Sequence, residues 1–334
     1  MMTGYTCIGE KIINLISPQP QTSGMKYNVE GSWPALVTPF KDDEVNYELL
    51  RKLVGFHAEN NSTGLLLMGS TGEAIMLTQE ERKKIIDTVI DEANGKLPVM
   101  VGVAAVTTKQ TIENAKYAKE AGADAGLIVQ PPYIKPTQTA LYHYFKDIAD
   151  AVEMPFVIYN NPERCGVNVE PETIARLAQH RNFVAIKEAG PNPYGVMRTV
   201  ELTRGQFNVL CCDCAFYALI PVVMSSGGKG TSNVTGSLCP REIAVISKPW
   251  VGYDDVLNMR EMLYKYLPLI RMMYSESNPV PLKYALNLVG AEVGKPRKPL
   301  LELSEGNQLT MRQTMERLGI LAEDSYQREY FGRK

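Results

Sequence analysis

Short apolar runs rich in valine, isoleucine and leucine alternate along this chain with amphipathic stretches. The runs are PALVTPF, GLLLMGS, PVMVGV, AGLIVQ, PFVIYN, FVAIKE and FNVLCC, with GKGTSNV as an eighth and weaker one. This alternation constrains the fold more than any other feature. A run that stays apolar on consecutive residues reads as a strand buried on both faces, the condition of a parallel sheet. The interval between runs, roughly 22 to 34 residues, is about one β-loop-α-loop unit. A doubly wound open sheet usually has fewer strands, whereas eight close a ring. We expect an α/β fold, a (β/α)8 TIM barrel.

The stretches between runs carry helix punctuation. Thr78 with Glu81 in TQEE makes a capping box. Ile112, Ala115 and Ala118 step at helical spacing, and Gly122 is a natural stop. Pro171 stands where a first helical residue would be, before ETIARLAQH. After about residue 240 the strand runs cease, and YDDVLNMREMLYKYLPLIRMMY, PVPLKYALNLVG and LTMRQTMERLGIL read as helices. We expect a barrel over residues 25–252 and a helical C-terminal domain over 253–334. Residues 1–24 have loop-type composition without a sustained period. They are expected to be a disordered extension before Met25.

Composition excludes several classes of function. The chain has 334 residues and a formal net charge of −2, so no basic face points to nucleic acid. No apolar run approaches the ~20 residues of a membrane span. The start lacks the basic-then-apolar pattern of a secretory signal. Six cysteines in a chain of this length do not make a disulfide framework, so reduced thiols and a cytoplasmic setting are expected. CCDC, Cys211 to Cys214, contains a C-x-x-C spacing, but Cys7, Cys165 and Cys239 do not supply a second ligand pair for zinc. These cysteines read as small residues at a buried strand.

A TIM barrel builds its active site at the C-terminal ends of its strands. The polar residues just past the runs are therefore expected to face one cavity: Ser70 and Thr71, Tyr133, Tyr159 and Asn160, Lys187, and Ser232 and Asn233. Plainer readings stand beside these. A single tyrosine among 17 also serves as a space-filling ring. GSTGE also reads as a strand-to-helix turn, although its glycines, amides and hydroxyls suit a carboxylate. SSGGKG lacks the Walker spacing for phosphate.

Lys187 makes the sharpest case. It ends an apolar run and precedes Glu188, but adjacent strand residues point to opposite faces, so the two pair poorly. A lysine pointing into the barrel is desolvated, which lowers its pKa and frees the amine. A free amine attacks a ketone to form a Schiff base. That reaction moves protons between amine, carbinolamine and water, and Tyr159 on the neighbouring strand is placed to carry them. The resulting imine drains electrons from the adjacent carbon, whose enamine can attack an aldehyde. This is class I aldolase chemistry, and it needs no metal.

The motifs GSTGE, PPYIKPTQTALYHYF, VIYNNPERCGVN, VAIKEA and NPVPLKYALNLVG, in this order from about Met25 to Leu321, resemble the pyruvate-dependent dihydrodipicolinate synthase and N-acetylneuraminate lyase superfamily. The resemblance implies a barrel with a C-terminal helical domain and a tetramer made of two tight dimers. It implies no cofactor, only a covalent imine of pyruvate on Lys187. By the same resemblance Tyr159 shuttles protons at the imine. Thr71 and Tyr133 complete a hydroxyl relay, with Tyr133 reaching into the neighbouring subunit's site. Ser70 and the Thr71 amide bind the pyruvate carboxylate. Arg164 matches the arginine that pairs with the carboxylate of aspartate semialdehyde, a bidentate partner for a guanidinium fork.

Some positions depart from the synthase pattern. Cys212 stands at a glycine that approaches substrate, and Ser232 replaces a bulky aliphatic residue. Both are carried as substrate-binding candidates. Val106 and Pro132 stand where lysine-inhibited relatives have polar groups, so no feedback by lysine is expected. The leading expectation is condensation of pyruvate with L-aspartate 4-semialdehyde, on the route to lysine and diaminopimelate. The second is an aldolase or dehydratase of a 2-keto-3-deoxy sugar acid or related 2-oxo acid. The third is a non-catalytic barrel that binds a small acid.

Overall fold

The computed structural model describes residues 28–332. The extension expected over residues 1–24 lies outside them. Eight parallel strands form one sheet: β1 (Gly31–Pro34), β2 (Leu65–Leu67), β3 (Val99–Gly102), β4 (Ala125–Val129), β5 (Phe156–Asn160), β6 (Phe183–Glu188), β7 (Asn208–Cys211) and β8 (Gly230–Asn233). Successive strands pair in parallel from β2 to β8, and β8 pairs with β1. A parallel bridge between Ala35 and Leu66 brings β1 back to β2 and closes the ring. The fold is the TIM barrel that the alternating runs imply.

The eighth strand is polar in sequence and buried in place. Its outward residues are satisfied sideways: Thr231 Oγ1 lies 2.7 Å from Ser247 Oγ, and Asn233 Nδ2 donates to Ser32 Oγ at 3.0 Å. Gly230 has φ 146°, and a Cβ there would collide with the Gly31 carbonyl. Only glycine lets β8 approach β1 so closely.

Helices follow the strands: α1 (Tyr47–Glu59), α2 (Gln79–Ala93), α3 (Thr108–Ala121), α4 (Gln138–Ala151), α5 (Pro171–Leu177), α6 (Pro193–Thr203), α7 (Leu219–Ser225) and α8 (Pro240–Ser247). The capping box of Thr78 and Glu81 starts α2, Gly122 ends α3 with φ 99°, and Pro171 opens α5. Four more helices, α9 (Tyr253–Met272), α10 (Val280–Leu288), α11 (Glu305–Arg317) and α12 (Tyr326–Gly332), follow the last barrel helix.

The core has two layers. Trp33, Leu66, Met100, Leu127, Val157 and Leu210 fill the barrel interior. A larger cluster lies between strands and helices, and takes in Met259, Leu269, Leu282 and Met311 from the C-terminal helices. Each fully buried side chain of this size contributes about 1.5–3 kcal/mol. The interior layer plugs the barrel from below, so the space for chemistry lies above it, at the strand C-termini.

Candidate active site

The strand period of two decides which residue of each pair enters the barrel. On β6, Ala185 belongs to the interior layer, so Lys187 points inward and Glu188 outward. On β5, Val157 is interior, so Tyr159 points inward and Asn160 outward. Tyr159 and Lys187 are register partners on adjacent strands.

These residues open onto a cavity of ≈ 380 Å³. Its walls come from Ser70 and Thr71 after β2, Tyr159, Asn161 and Arg164 at and after β5, Lys187 and Ala189 on and after β6, Cys212 and Cys214 after β7, and Val234 after β8. Tyr274, Glu276, Ser277 and Asn278, between α9 and α10, close it from the side. A second cavity, of ≈ 440 Å³, lies outside the barrel beside α2 and α3.

Lys187 is only 6 % exposed, and its Nζ makes no hydrogen bond or ion pair among the described residues. Its close contact is the Tyr159 ring, whose centre lies 4.6 Å from Nζ. Burial lowers the Lys187 pKa; the neighbouring Cys212 and Asp213 oppose that shift and Arg164 adds to it. Burial also pushes the Tyr159 phenol up, with Cys212 acting the same way and the Asn161 hydrogen bond pulling back. An unpaired, desolvated amine beside a phenol that holds its proton is the arrangement needed to attack a ketone and then protonate the leaving hydroxyl.

Glu188 does not pair with Lys187. It accepts from Asn160 Nδ2 at 2.9 Å and from the Gly190 amide at 2.6 Å on the outer side of the sheet. Its carboxyl pKa is raised to about 7, chiefly by burial.

Asn161 caps the one-turn helix Pro162–Cys165, and its side-chain Oδ1 accepts from the Arg164 amide. This turn sets Arg164 at the cavity rim, where its side chain is exposed. Ser70 and Thr71 are held from the opposite side: Asn278 Nδ2 donates to Thr71 Oγ1 at 2.9 Å and lies 3.5 Å from Ser70 Oγ. Thr71 is buried and Ser70 is half-buried.

Cys212 faces the cavity with Sγ 3.0 Å from Tyr274 Oη, and Tyr274 donates to Asp213 Oδ1 at 2.5 Å. Asp213 is itself held by the amides of Val234 and Thr235. The C-x-x-C spacing does not make a paired site: Cys211 packs in the outer core layer and Cys214 beside Cys212.

Four expected positions stand elsewhere. Asn160 turns outward to Glu188 and Asn168, and Asn233 outward to Ser32, because each follows an inward residue by one. Tyr133 is 94 % exposed with φ 75° and does not line the cavity of its own chain. Ser232 is fully buried on the inward face of β8, is not a cavity-lining residue, and its Oγ has no partner among the described residues. Within this chain the Tyr159 phenol is hydrogen-bonded by Asn161 Nδ2. Strand-end reasoning missed Asn161, Tyr274 and Asn278. Asn278 lies within the NPVP motif, the one signal that could have found it.

Residues 28–318 match the dihydrodipicolinate synthetase family. The chain belongs to that family. The 4-hydroxy-tetrahydrodipicolinate synthase of Methanococcus vannielii is 37% identical over 295 residues, covering 88% of this chain and 100% of the relative. That of Methanopyrus kandleri is 38% identical over 302 residues, covering 90% and 99%. Among solved structures, the dihydrodipicolinate synthase from Acinetobacter baumannii complexed with pyruvate matches with TM-score 0.82 and 34% identity, over 88% of this chain and 100% of that one. As a member of the dihydrodipicolinate synthetase family the chain is an enzyme, a lyase of the class I aldolase type. No helix among the described residues is long and apolar enough to cross a membrane.

Proposed function

We propose that the chain condenses pyruvate with L-aspartate 4-semialdehyde, as a 4-hydroxy-tetrahydrodipicolinate synthase. The observation that carries the reading is the unpaired, buried Lys187 amine beside Tyr159, with Arg164 at the rim of the same cavity. The amine adds to the pyruvate ketone, and the carbinolamine loses water with a proton from Tyr159. The pyruvate carboxylate sits at the Ser70-Thr71 turn. Loss of a methyl proton gives the enamine, which forms a carbon–carbon bond to the aldehyde carbon. The amino group of the second substrate then displaces Lys187 from the imine and closes the ring, restoring the free amine. Arg164 receives the second substrate's carboxylate.

A second reading is an aldolase or dehydratase of a 2-keto-3-deoxy sugar acid. It rests on the Cys212 thiol, which stands in the cavity wall where the synthase pattern has a glycine. The test is direct. Borohydride added with pyruvate is expected to raise the intact mass by one reduced pyruvate adduct at Lys187; no adduct overturns the Schiff-base role of Lys187. Product formation with aspartate semialdehyde supports the first reading, and turnover only with a keto-deoxy acid supports the second.

We also propose a homotetramer. Ile75, Val106, Tyr133 and Ile134, on consecutive loops at one end of the barrel, are exposed, as are Tyr194, Met197 and Phe216 elsewhere. The first set, on neighbouring loops, suits a subunit contact. Tyr133 lies in this set, consistent with its reaching a neighbouring site. Sedimentation at equilibrium tests the stoichiometry.

A further inference from the structure

Asn161 carries two hydrogen bonds that together fix its orientation. Its Oδ1 accepts from the Arg164 amide at 3.2 Å, the N-cap of the turn that presents Arg164. Its Nδ2 donates to Tyr159 Oη at 2.8 Å. A side-chain amide can usually be turned over, exchanging oxygen and nitrogen. Here it cannot, because the Arg164 N–H needs an acceptor and only Oδ1 is one. The N-cap therefore commits the NH2 group to the phenol.

That commitment decides what the phenol can do. With its oxygen already accepting from Asn161, Tyr159 directs its own proton away from the amide. When Tyr159 gives that proton to the departing hydroxyl, the oxygen left behind is an anion still facing an N–H donor. A hydrogen bond to an anion is roughly twice as strong as one to a neutral oxygen. The bond thus strengthens as the proton leaves, and favours transfer more than it favours the resting state.

We propose that Asn161 is a positioning residue for proton transfer, aiming the Tyr159 proton at the imine-forming centre and holding the phenolate that remains. The inference rests on the Schiff-base reading of Lys187 and deepens it. Other groups facing the Tyr159 phenol are Lys187 on β6, Cys212 after β7, and Arg164 and Cys165 in the capped turn. Among them Asn161 alone is a neutral donor hydrogen-bonded to the phenol. It also joins the proton carrier to the turn bearing Arg164.

The variants Asn161→Ser and Asn161→Asp separate this role from capping. Both retain an oxygen that can cap the turn, and both remove the amide donor. The measurement is the rate of borohydride-trapped pyruvate adduct at Lys187 across pH, in the full-length chain. The expected result is a loss of about ten- to a hundredfold, the value of one charge-assisted bond. The limb of the pH profile belonging to the phenol should move to higher pH in the serine variant. In a Tyr159→Phe background, Asn161→Ser should have no further effect on the rate. A wild-type rate and profile in the serine variant, or an equal loss in the Tyr159→Phe background, overturns the inference. Should the serine variant fold poorly, the aspartate variant in the same two backgrounds decides by the same criteria. If the wild-type chain forms no adduct, the Lys187 reading itself fails and takes this inference with it, an outcome distinct from the other two.

Discussion

Lys187 Nζ lies 4.6 Å from the centre of the Tyr159 ring, and the two residues sit in register on neighbouring strands. In the proposed mechanism the pairing joins the nucleophile to its proton carrier through the rigid part of the fold. Lys187→Arg is therefore expected to abolish the pyruvate adduct, and Tyr159→Phe to slow its formation by about 10²–10⁴, the usual contribution of a positioned acid–base group. The pH dependence follows from the lowered amine pKa. The reactive neutral amine is present above that value and lost as pH falls through it. The wild-type rate should thus fall off on the acid side below the ordinary lysine value of 10.5. Stopped-time trapping read by mass spectrometry checks all three.

Arg164 stands at the rim without an ion pair among the described residues, so its fork is available to a substrate anion. Arg164→Ala should leave pyruvate trapping near wild type and raise KM for the carboxylate-bearing aldehyde by about ten- to a hundredfold, the loss of a charged hydrogen-bonded pair. Arg164→Lys should recover only part, because the fork geometry is lost. Steady-state kinetics with each substrate varied in turn separates the two effects.

Lysine is expected not to inhibit. Val106 and Pro132 are exposed and offer no side-chain hydrogen bond to an ammonium or a carboxylate. An inhibition curve in the millimolar range would refute this.

Glu188 makes stability depend on pH. Its carboxyl pKa is about 7 in the folded chain against the ordinary glutamate value of 4.5. The folded state therefore holds a proton that the unfolded state gives up between these values. Its contribution is full below 4.5 and lost as pH rises through about 7, a difference of up to about 3 kcal/mol. Glu188→Gln keeps a neutral group of the same shape, so its stability should fall less than wild type from pH 5 to pH 8. Urea midpoints at the two pH values measure the difference.

How much of this was legible in the linear chain follows from where each signal is written. Buried parallel strands leave continuous apolar runs, so the barrel was readable, and β8, polar in composition, appeared only as the eighth and weaker run. Lys187 and Tyr159 were readable because they end such runs. Asn160 and Asn233 were placed in the cavity although the period of two turns them outward, an error of one residue in register. Asn161, Tyr274 and Asn278 were not readable by the same rule. Asn161 acts through a turn just past its strand, and the other two lie in a connection between helices whose path over the barrel mouth no local period encodes.

That connection is secured by a buried ion pair. Lys283 Nζ lies 2.5 Å from Glu73 Oε1, and both side chains are essentially inaccessible. Glu73 Oε2 accepts from the Arg297 amide at 2.7 Å, and Phe40 contacts both Lys283 and Arg297 through its ring. Glu73 has φ 53°, a left-handed conformation that the pair holds in place just after the Ser70-Thr71 turn. The burial of Lys283 lowers its pKa to about 8, while Glu73 opposes the shift. Removing one member of a buried pair strands the other charge, so Lys283→Met alone should cost about 3–5 kcal/mol. Glu73→Gln combined with Lys283→Met should cost less than the sum of the single changes, since no charge is left unpaired. Because the Ser70-Thr71 turn is anchored through Glu73 and Asn278, the double variant should also need more pyruvate to half-saturate adduct formation while still forming it at Lys187. Urea unfolding and pyruvate titration of trapping, done on the same four proteins, test the clamp and its reach into the site together.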